Sequence, residues 1–288
     1  MNPQTGKPAP GLTLVSVPIG TARDITLRAL DVLREADVLA AEDTRSLRKL
    51  LDIHGIALGD RPLVAYHDHN GDRVRPRLLA ALEQGLSVAY ASEAGTPMIA
   101  DPGFDLARAA REAGHAVTAA PGVSAVVTAL SLGGLPTDRF LFAGFLPSQA
   151  KARRDGLRAL EAVPATLVFY ESPRRLGRML ADAAEALGGA REAAVCRELT
   201  KRFEEIRRGS LEELAAAYAD LAPKGEIVVL IGRKKAGDVS EKFVIGRIEE
   251  ELSAGRTVRD SATSVAGETG WPRRRVYQLA LELAKGGD

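Results

Sequence analysis

Short apolar runs alternate with amphipathic stretches through the first half of the chain, and this alternation narrows the fold more than any other feature. Residues 12–17, 38–41, 63–66, 86–91 and 116–119 read as strands, with helices between them that include 26–36, 73–84 and 104–113. Strands alternating with helices form βαβ units and a mainly parallel sheet. Ligands of such sheets bind beyond the carboxyl ends of the strands.

The segments that follow the strands therefore carry the functional signal. VPIGT (17–21) follows the first strand, with Asp24 close behind. AEDTR (41–45) follows the second and YHDHN (66–70) the third. ASEAGTP (91–97) and IADPG (99–103) follow the fourth, and APGVSA (120–125) the fifth. Turn chemistry accounts for one loop rich in Gly, Pro and Asp. It does not account for five on one edge that also bring His, Glu and Arg, so a ligand cleft is expected there.

After GGLPTDRF (133–140) the pattern restarts. Strands are expected at 140–144, 166–170, 193–197, 203–208 and 226–231, with helices at 149–160, 175–187 and 211–221. Two consecutive strands without a helix between them imply antiparallel pairing in a mixed sheet. A basic linker, RKKAGD (233–238), leads to three short helices over about 240–288. Their last two, with a turn expected at Gly267–Gly270 and Pro272 in the following first turn, have a helix-turn-helix layout. The expected division is a flexible tail at 1–10, an N-terminal α/β domain at 11–136, a second α/β domain at 137–233 and a helical domain at 240–288.

Several classes are excluded. An apolar content of 45% with 27% charged residues is that of a globular chain rather than a disordered one. No apolar run approaches the ~20 residues of a membrane span, and no secretory signal is recognised at the start. The single cysteine, Cys196, allows no disulfide framework and fits a reducing cytoplasm. There is no G-x-G-x-x-G after the first strand and no P-loop. Ser124 lacks the second glycine of a nucleophile elbow and reads as a helix cap. His67 and His69 flank Asp68, but without further acidic or Cys partners they read as residues of a polar cleft rather than metal ligands.

Charge is uneven although the net charge is only +1. Residues 11–138 hold twelve basic and sixteen acidic side chains, whereas 139–178 hold eight basic and three acidic. A basic segment in a nearly neutral protein suits local binding of a polyanion. Lys151, Arg153, Arg154, Arg174 and Arg175 lie in it, and Arg273, Arg274 and Arg275 open the last helix. All are expected contacts to the phosphates of a polyanion.

VPIG, AEDTR, HDHN, SEAGTP, DPG, PGVSA, GLPTDRF, GFLP, FYES, RELTK and KGE occur in order over residues 12–232. This series resembles the small-subunit ribosomal RNA (cytidine-2′-O)-methyltransferase family, RsmI type, within the tetrapyrrole-methylase superfamily of class III methyltransferases. The C-terminal helices resemble that family's helix-turn-helix extension. The resemblance implies a two-domain tetrapyrrole-methylase fold of the α/β class, with S-adenosylmethionine held in the cleft between the domains. It also implies a homodimer, and as substrate a cytidine ribose 2′-hydroxyl in 16S ribosomal RNA of the small subunit. Carried over by motif, the cofactor residues are Pro18, Ala94, Gly95, Thr96, Ile99, Ser124, Ala125, Glu171 and Gly225. The sequence departs from the family at Glu93, where Asp is common.

Methyl transfer to a ribose hydroxyl needs alignment and removal of a proton. Asp43, His67, His69, Glu171 and Lys201 are the candidate proton acceptors. Asp43, His67 and Lys201 are the expected catalytic set, with Arg45 and His69 on the RNA. Two other readings share the sequence: a methyltransferase of the same superfamily acting on a tetrapyrrole or a protein, and a ligand-sensing regulator that binds nucleic acid through its last helices.

Overall fold

The computed structural model describes residues 6–100, 102–234 and 241–285. The first five residues of the expected tail, Asp101 of the DPG motif and most of the RKKAGD linker lie outside the described residues. The chain divides into two compact units. One is Met1–Thr128 with Glu198–Glu204, the other Ala129–Arg197 with Glu205–Asp288.

The first unit holds β1 (Gly11–Val15), α1 (Leu27–Glu35), β2 (Val38–Ala41), α2 (Thr44–Ile53), β3 (Leu63–Ala65), α3 (Gly71–Glu83), β4 (Ser87–Ala91), α4 (Phe104–Glu112) and β5 (Val117–Ala120). Its sheet has the order β3-β2-β4-β1-β5, and all four pairings are parallel. The central strands are buried along their whole length, as β2 and β4 show, because helices cover both faces. One face packs Val15, Leu33, Leu39 and Leu51 together, and the other packs Leu12, Leu78, Tyr90 and Leu106. Helix α2 lies between the second and third strands, where the alternation implies a helix without giving its bounds. It begins two residues after β2, is mostly polar, and starts on the side chain of Asp43, which accepts from the Arg45 N–H.

Helix α5 (Ala125–Gly133) follows β5. The second unit then contains β6 (Phe140–Phe145), α6 (Ala150–Ala159), β7 (Thr166–Glu171), α7 (Leu176–Leu187), β8 (Glu192–Arg197), β9 (Glu205–Ser210), α8 (Leu211–Ala217) and β10 (Ile227–Ile231). The sheet order is β6-β7-β10-β8-β9. Only β6 and β7 pair in parallel, while β10 and β9 run antiparallel to their neighbours, as a mixed sheet requires. Strand β9 starts two residues later than expected, at Glu205, because residues 198–204 form a tight loop instead.

Helices α9 (Glu241–Ser253), α10 (Val258–Thr269) and α11 (Arg273–Lys285) share a small core of Val244, Ile248, Ala262, Val265 and Val276. The turn expected at Gly267–Gly270 sits later. Gly267 remains helical, and the break comes at Gly270, which is left-handed at φ 72° and donates its N–H to the Ala266 carbonyl. Among the described residues no helix is long and apolar enough to cross a membrane.

At the amino-terminal edge of the first sheet, Asp37 accepts from the Ser87 N–H (2.9 Å), the Ser87 hydroxyl (2.7 Å) and Lys7 (2.6 Å). These donors pull its pKa down to about 2, the Lys7 hydrogen bond being the largest cause. A lowered folded-state pKa gives stability that is present above the unfolded value near 4 and is lost as pH falls through about 2. Asp37→Ala is therefore expected to cost roughly 1–3 kcal/mol at neutral pH. In urea unfolding across pH, the gap to wild type should close below about pH 2.

Candidate active site

Parallel pairing brings all five carboxyl ends of the first sheet to one edge. Three of the loops there are tied together. Val17 and Gly95 exchange both backbone hydrogen bonds, at 2.9 and 3.0 Å. The Thr96 hydroxyl donates to the Val123 carbonyl at 2.9 Å and lies 3.1 Å from the Ser16 hydroxyl. With its one hydrogen used on Val123, Thr96 accepts from Ser16. Gly95 is left-handed at φ 73°, which a side chain resists. A Cβ at Gly122 would stand 2.9 Å from the Ser16 Cβ, so the Pro-Gly turn presses directly on the first loop.

Pro18, Ala94, Gly95, Thr96, Ser124 and Ala125 thus lie on three joined loops, and Ile99 follows on a partly exposed stretch. The Ser124 carbonyl takes the first bonds of α5 from the Thr128 N–H and hydroxyl. The first N–H groups of α5, a left-handed glycine and a hydroxyl pair suit a nucleoside bearing an amino-acid end, which is rich in both donors and acceptors. By this measure the residues fit S-adenosylmethionine. Ser16 contributes although no motif contains it; its position between strand and motif was the available signal.

Asp43 is engaged on both carboxylate oxygens. Its Oδ1 caps α2 and also accepts from Arg45 Nε (3.3 Å), while Oδ2 accepts from Arg45 Nη2 (3.1 Å). The Arg45 guanidinium holds its carboxyl below the usual range, which weakens it as a proton acceptor. Arg45 itself remains exposed to solvent. Glu42 Oε2 accepts from the Glu93 N–H at 3.1 Å, joining the second and fourth loops. Glu93 is exposed, and its charge favours the Arg45 cation.

In the third loop, Asn70 accepts from the His67 N–H (2.9 Å) and donates to the Ala65 carbonyl (3.0 Å). The His67 ring lies 6.0 Å from that of His69, centroid to centroid. Its Nδ1 is buried and makes no hydrogen bond among the described residues. A buried ring nitrogen without a protein partner is a natural place for a ligand group. Beneath the loop, Tyr66 and Tyr90 stack edge to face at 5.7 Å. Lys201 also belongs to the first unit; its Nζ donates to Glu198 Oε1 at 2.8 Å. Among the described residues no group of three or more His, Cys, Asp or Glu is placed to hold a metal ion.

In the second unit, Glu171 ends β7 and is buried. Its Oε1 accepts from the Ser172 N–H at 2.7 Å and pairs with Arg175 at 3.2 Å, while Oε2 has no hydrogen-bond partner among the described residues. Gly225, at φ 104°, precedes β10 beside Lys224, whose carbonyl accepts from Arg197.

The basic residues separate into two groups. Arg153 is a correction: it is buried, with its guanidinium on Asp182 at 2.6 Å and on the Ser148 carbonyl at 2.9 Å. A buried, fully engaged cation cannot meet a phosphate. Arg154 is bound to Asp182 and Glu185, and Arg175 to Glu171 and the Leu146 carbonyl, so both are also tied down. Lys151, Arg174, Arg273, Arg274 and Arg275 are exposed. Lys151 pairs with Asp155, and Arg275 with Glu241. Charge patterning alone gave no means of sorting these, because the burial of Arg153 depends on α7 packing against α6.

Residues 11–215 match the family model for tetrapyrrole (corrin/porphyrin) methylases. The chain belongs to the tetrapyrrole methylase family. Residues 245–284 match the RsmI C-terminal HTH domain. Ribosomal RNA small subunit methyltransferase I of Mesorhizobium japonicum is 50% identical over 95% of this chain and 92% of its own length. The protein of the same name from Escherichia coli O157:H7 is 43% identical, covering 94% of each. Uroporphyrin-III-C-methyltransferase from Thermus thermophilus is a structural neighbour of this chain, with a TM-score of 0.55 and 26% identity over 77% of this chain and 94% of that one.

Arg153→Ala removes the buried partner of Asp182 Oδ2 and leaves Asp182 only Arg154 on Oδ1, so it is expected to destabilise the chain by about 1–3 kcal/mol. Calorimetric unfolding checks the loss. Arg174→Ala should leave stability within about 0.5 kcal/mol of wild type.

Proposed function

We propose that this methyltransferase transfers a methyl group from S-adenosylmethionine to the ribose 2′-hydroxyl of a cytidine in 16S ribosomal RNA of the small subunit, as a cytoplasmic homodimer. The observation that carries the reading is the joined set of loops 16–18, 94–96 and 121–125 at the carboxyl edge of a parallel sheet. The full-length similarity to proteins named as ribosomal RNA small subunit methyltransferases supports the substrate class. For self-association, the edge strand β6 offers exposed Phe140 and Phe145.

S-adenosylmethionine, when bound, supplies an electrophilic methyl on a sulfonium. Pro18, Ala94, Gly95, Thr96, Ile99, Ser124 and Ala125 are the residues of the first unit that would hold it. The resemblance alone adds Gly225 and Glu171, whose Oε2 has no hydrogen-bond partner among the described residues. Rigid placement contributes rate because the attacking oxygen must be in line with the transferred carbon. His67 accepts the proton of the ribose hydroxyl as the bond forms, as a positioned imidazole can in a general-base step. Lys201, held by Glu198, and Asp43, held by Arg45, complete the proposed catalytic set. The 2′-hydroxyl is the group that distinguishes RNA from DNA, so a site built around it selects RNA. Arg45, His69, Lys151, Arg174, Arg273, Arg274 and Arg275 hold the phosphates and set register without reading bases.

Small ribosomal subunits that lack the modification, incubated with tritiated S-adenosylmethionine and this protein, should gain label at a cytidine. The linkage after that cytidine should resist alkaline hydrolysis, because a methylated 2′-oxygen cannot attack the adjacent phosphate. Label in protein or none at all overturns the reading. His67→Ala is expected to lower turnover on the order of 10²–10⁴-fold, with the affinity for S-adenosylmethionine within about twofold of wild type.

A further inference from the structure

The loop between β8 and β9 has an unusual backbone. Glu198 and Thr200 are left-handed, at φ 51° and 63°. For a β-branched residue such as threonine this conformation is strained, and strain of that kind persists only where surrounding contacts impose it.

The contacts are specific. The Thr21 N–H donates to the Thr200 hydroxyl at 3.2 Å, and the Thr21 hydroxyl donates to the Thr200 carbonyl. The Thr200 N–H donates to Glu204 Oε2 at 2.7 Å. The Thr200 N–H and carbonyl are therefore both engaged, and its hydroxyl oxygen accepts. The Lys201 N–H donates to the Glu198 carbonyl (3.0 Å) and the Glu204 N–H to the Lys201 carbonyl (3.1 Å), closing the loop on itself. Gly20 makes the approach possible. A Cβ there would stand 2.5 Å from Lys201 Cγ, 2.6 Å from Thr200 Oγ1 and 3.0 Å from the Leu199 carbonyl oxygen.

Glycine or asparagine would adopt this backbone at lower cost. Glycine lacks an oxygen to accept from the Thr21 N–H. We infer that Thr200 is a positioning residue: its clamp on Thr21 fixes the 17–21 turn, where the methyl donor is held, and sets Lys201 beside Gly20. The inference rests on the proposed function, because it assigns the turn to donor binding. Thr200 touches no reacting atom and acts through Thr21.

The full-length chain is compared with Thr200→Gly, Thr200→Val and Thr200→Ser. Three readouts are taken: Tm without ligand, amide exchange at Thr21, and S-adenosylmethionine affinity by calorimetry. Thr200→Gly relieves the backbone, so its Tm should equal or exceed that of wild type. Its affinity should nevertheless fall about tenfold, and the Thr21 amide should exchange faster. Thr200→Val should show the same loss of protection and affinity. Thr200→Ser, which keeps the hydroxyl, should bind within about twofold of wild type. Wild-type affinity in both Thr200→Gly and Thr200→Val overturns the inference while leaving the functional reading intact. So does a loss of affinity in Thr200→Gly that comes with a lowered Tm, since that marks a merely structural role. If the wild-type chain binds no S-adenosylmethionine, the functional reading falls and this role falls with it.

Discussion

Five strands that run parallel cannot be joined by hairpins, and that constraint shapes everything else in the first unit. Each connection must cross back over the sheet, so each strand delivers its carboxyl end to the same edge. The order β3-β2-β4-β1-β5 then sets which loops are neighbours. Because β1 lies between β4 and β5, the loops after these three strands meet, although they are separated by about a hundred residues of chain. The loops after β2 and β3 stand beyond β4 on the other side, where Glu42 still reaches the Glu93 N–H.

The edge is built mostly from backbone and hydroxyl groups rather than from charges. The Val17–Gly95 exchange and the Ser16–Thr96–Val123 series satisfy the loops internally and leave a rigid frame. Rigidity of this kind is what methyl transfer requires from the protein, since the rate depends more on alignment than on strong acid–base chemistry. The charged groups at this edge include the Asp43–Arg45 pair, the Glu198–Lys201 pair and the Glu42 and Glu93 carboxylates. The loop 198–204 follows the same principle from far along the sequence, with Gly20 omitting a side chain so that Thr200 can come close.

Much of the fold could be read directly. Residues 38–41 form a strand at the expected bounds, and the mixed character of the second sheet followed from two strands with no helix between them. Helix α2 carries a clear amphipathic pattern, with Leu47 and Leu51 buried on one face, but its first residue depends on a cap two residues past a strand. Gly267 suggested a turn, yet glycine also sits in helices where nothing crowds it, and Gly270 took the left-handed cap instead. For the site, local motif chemistry marked the loops but not the state of the side chains. That Asp43 caps α2 and pairs with Arg45, and that Arg153 is half of a buried ion pair, was not legible in the motifs.

The sequence by itself determined the strand–helix alternation, the edge on which the loops gather and the family motifs they carry. Those are local properties, set by hydrophobic period and by residue type over a few positions. Only the tertiary structure decided which polar groups are free to meet a ligand. That depends on partners brought together from distant parts of the chain: Asp182 for Arg153, Thr21 for Thr200, Ser16 for Thr96. A side chain's availability is fixed by burial and by competing hydrogen bonds, and neither exists until the chain has folded.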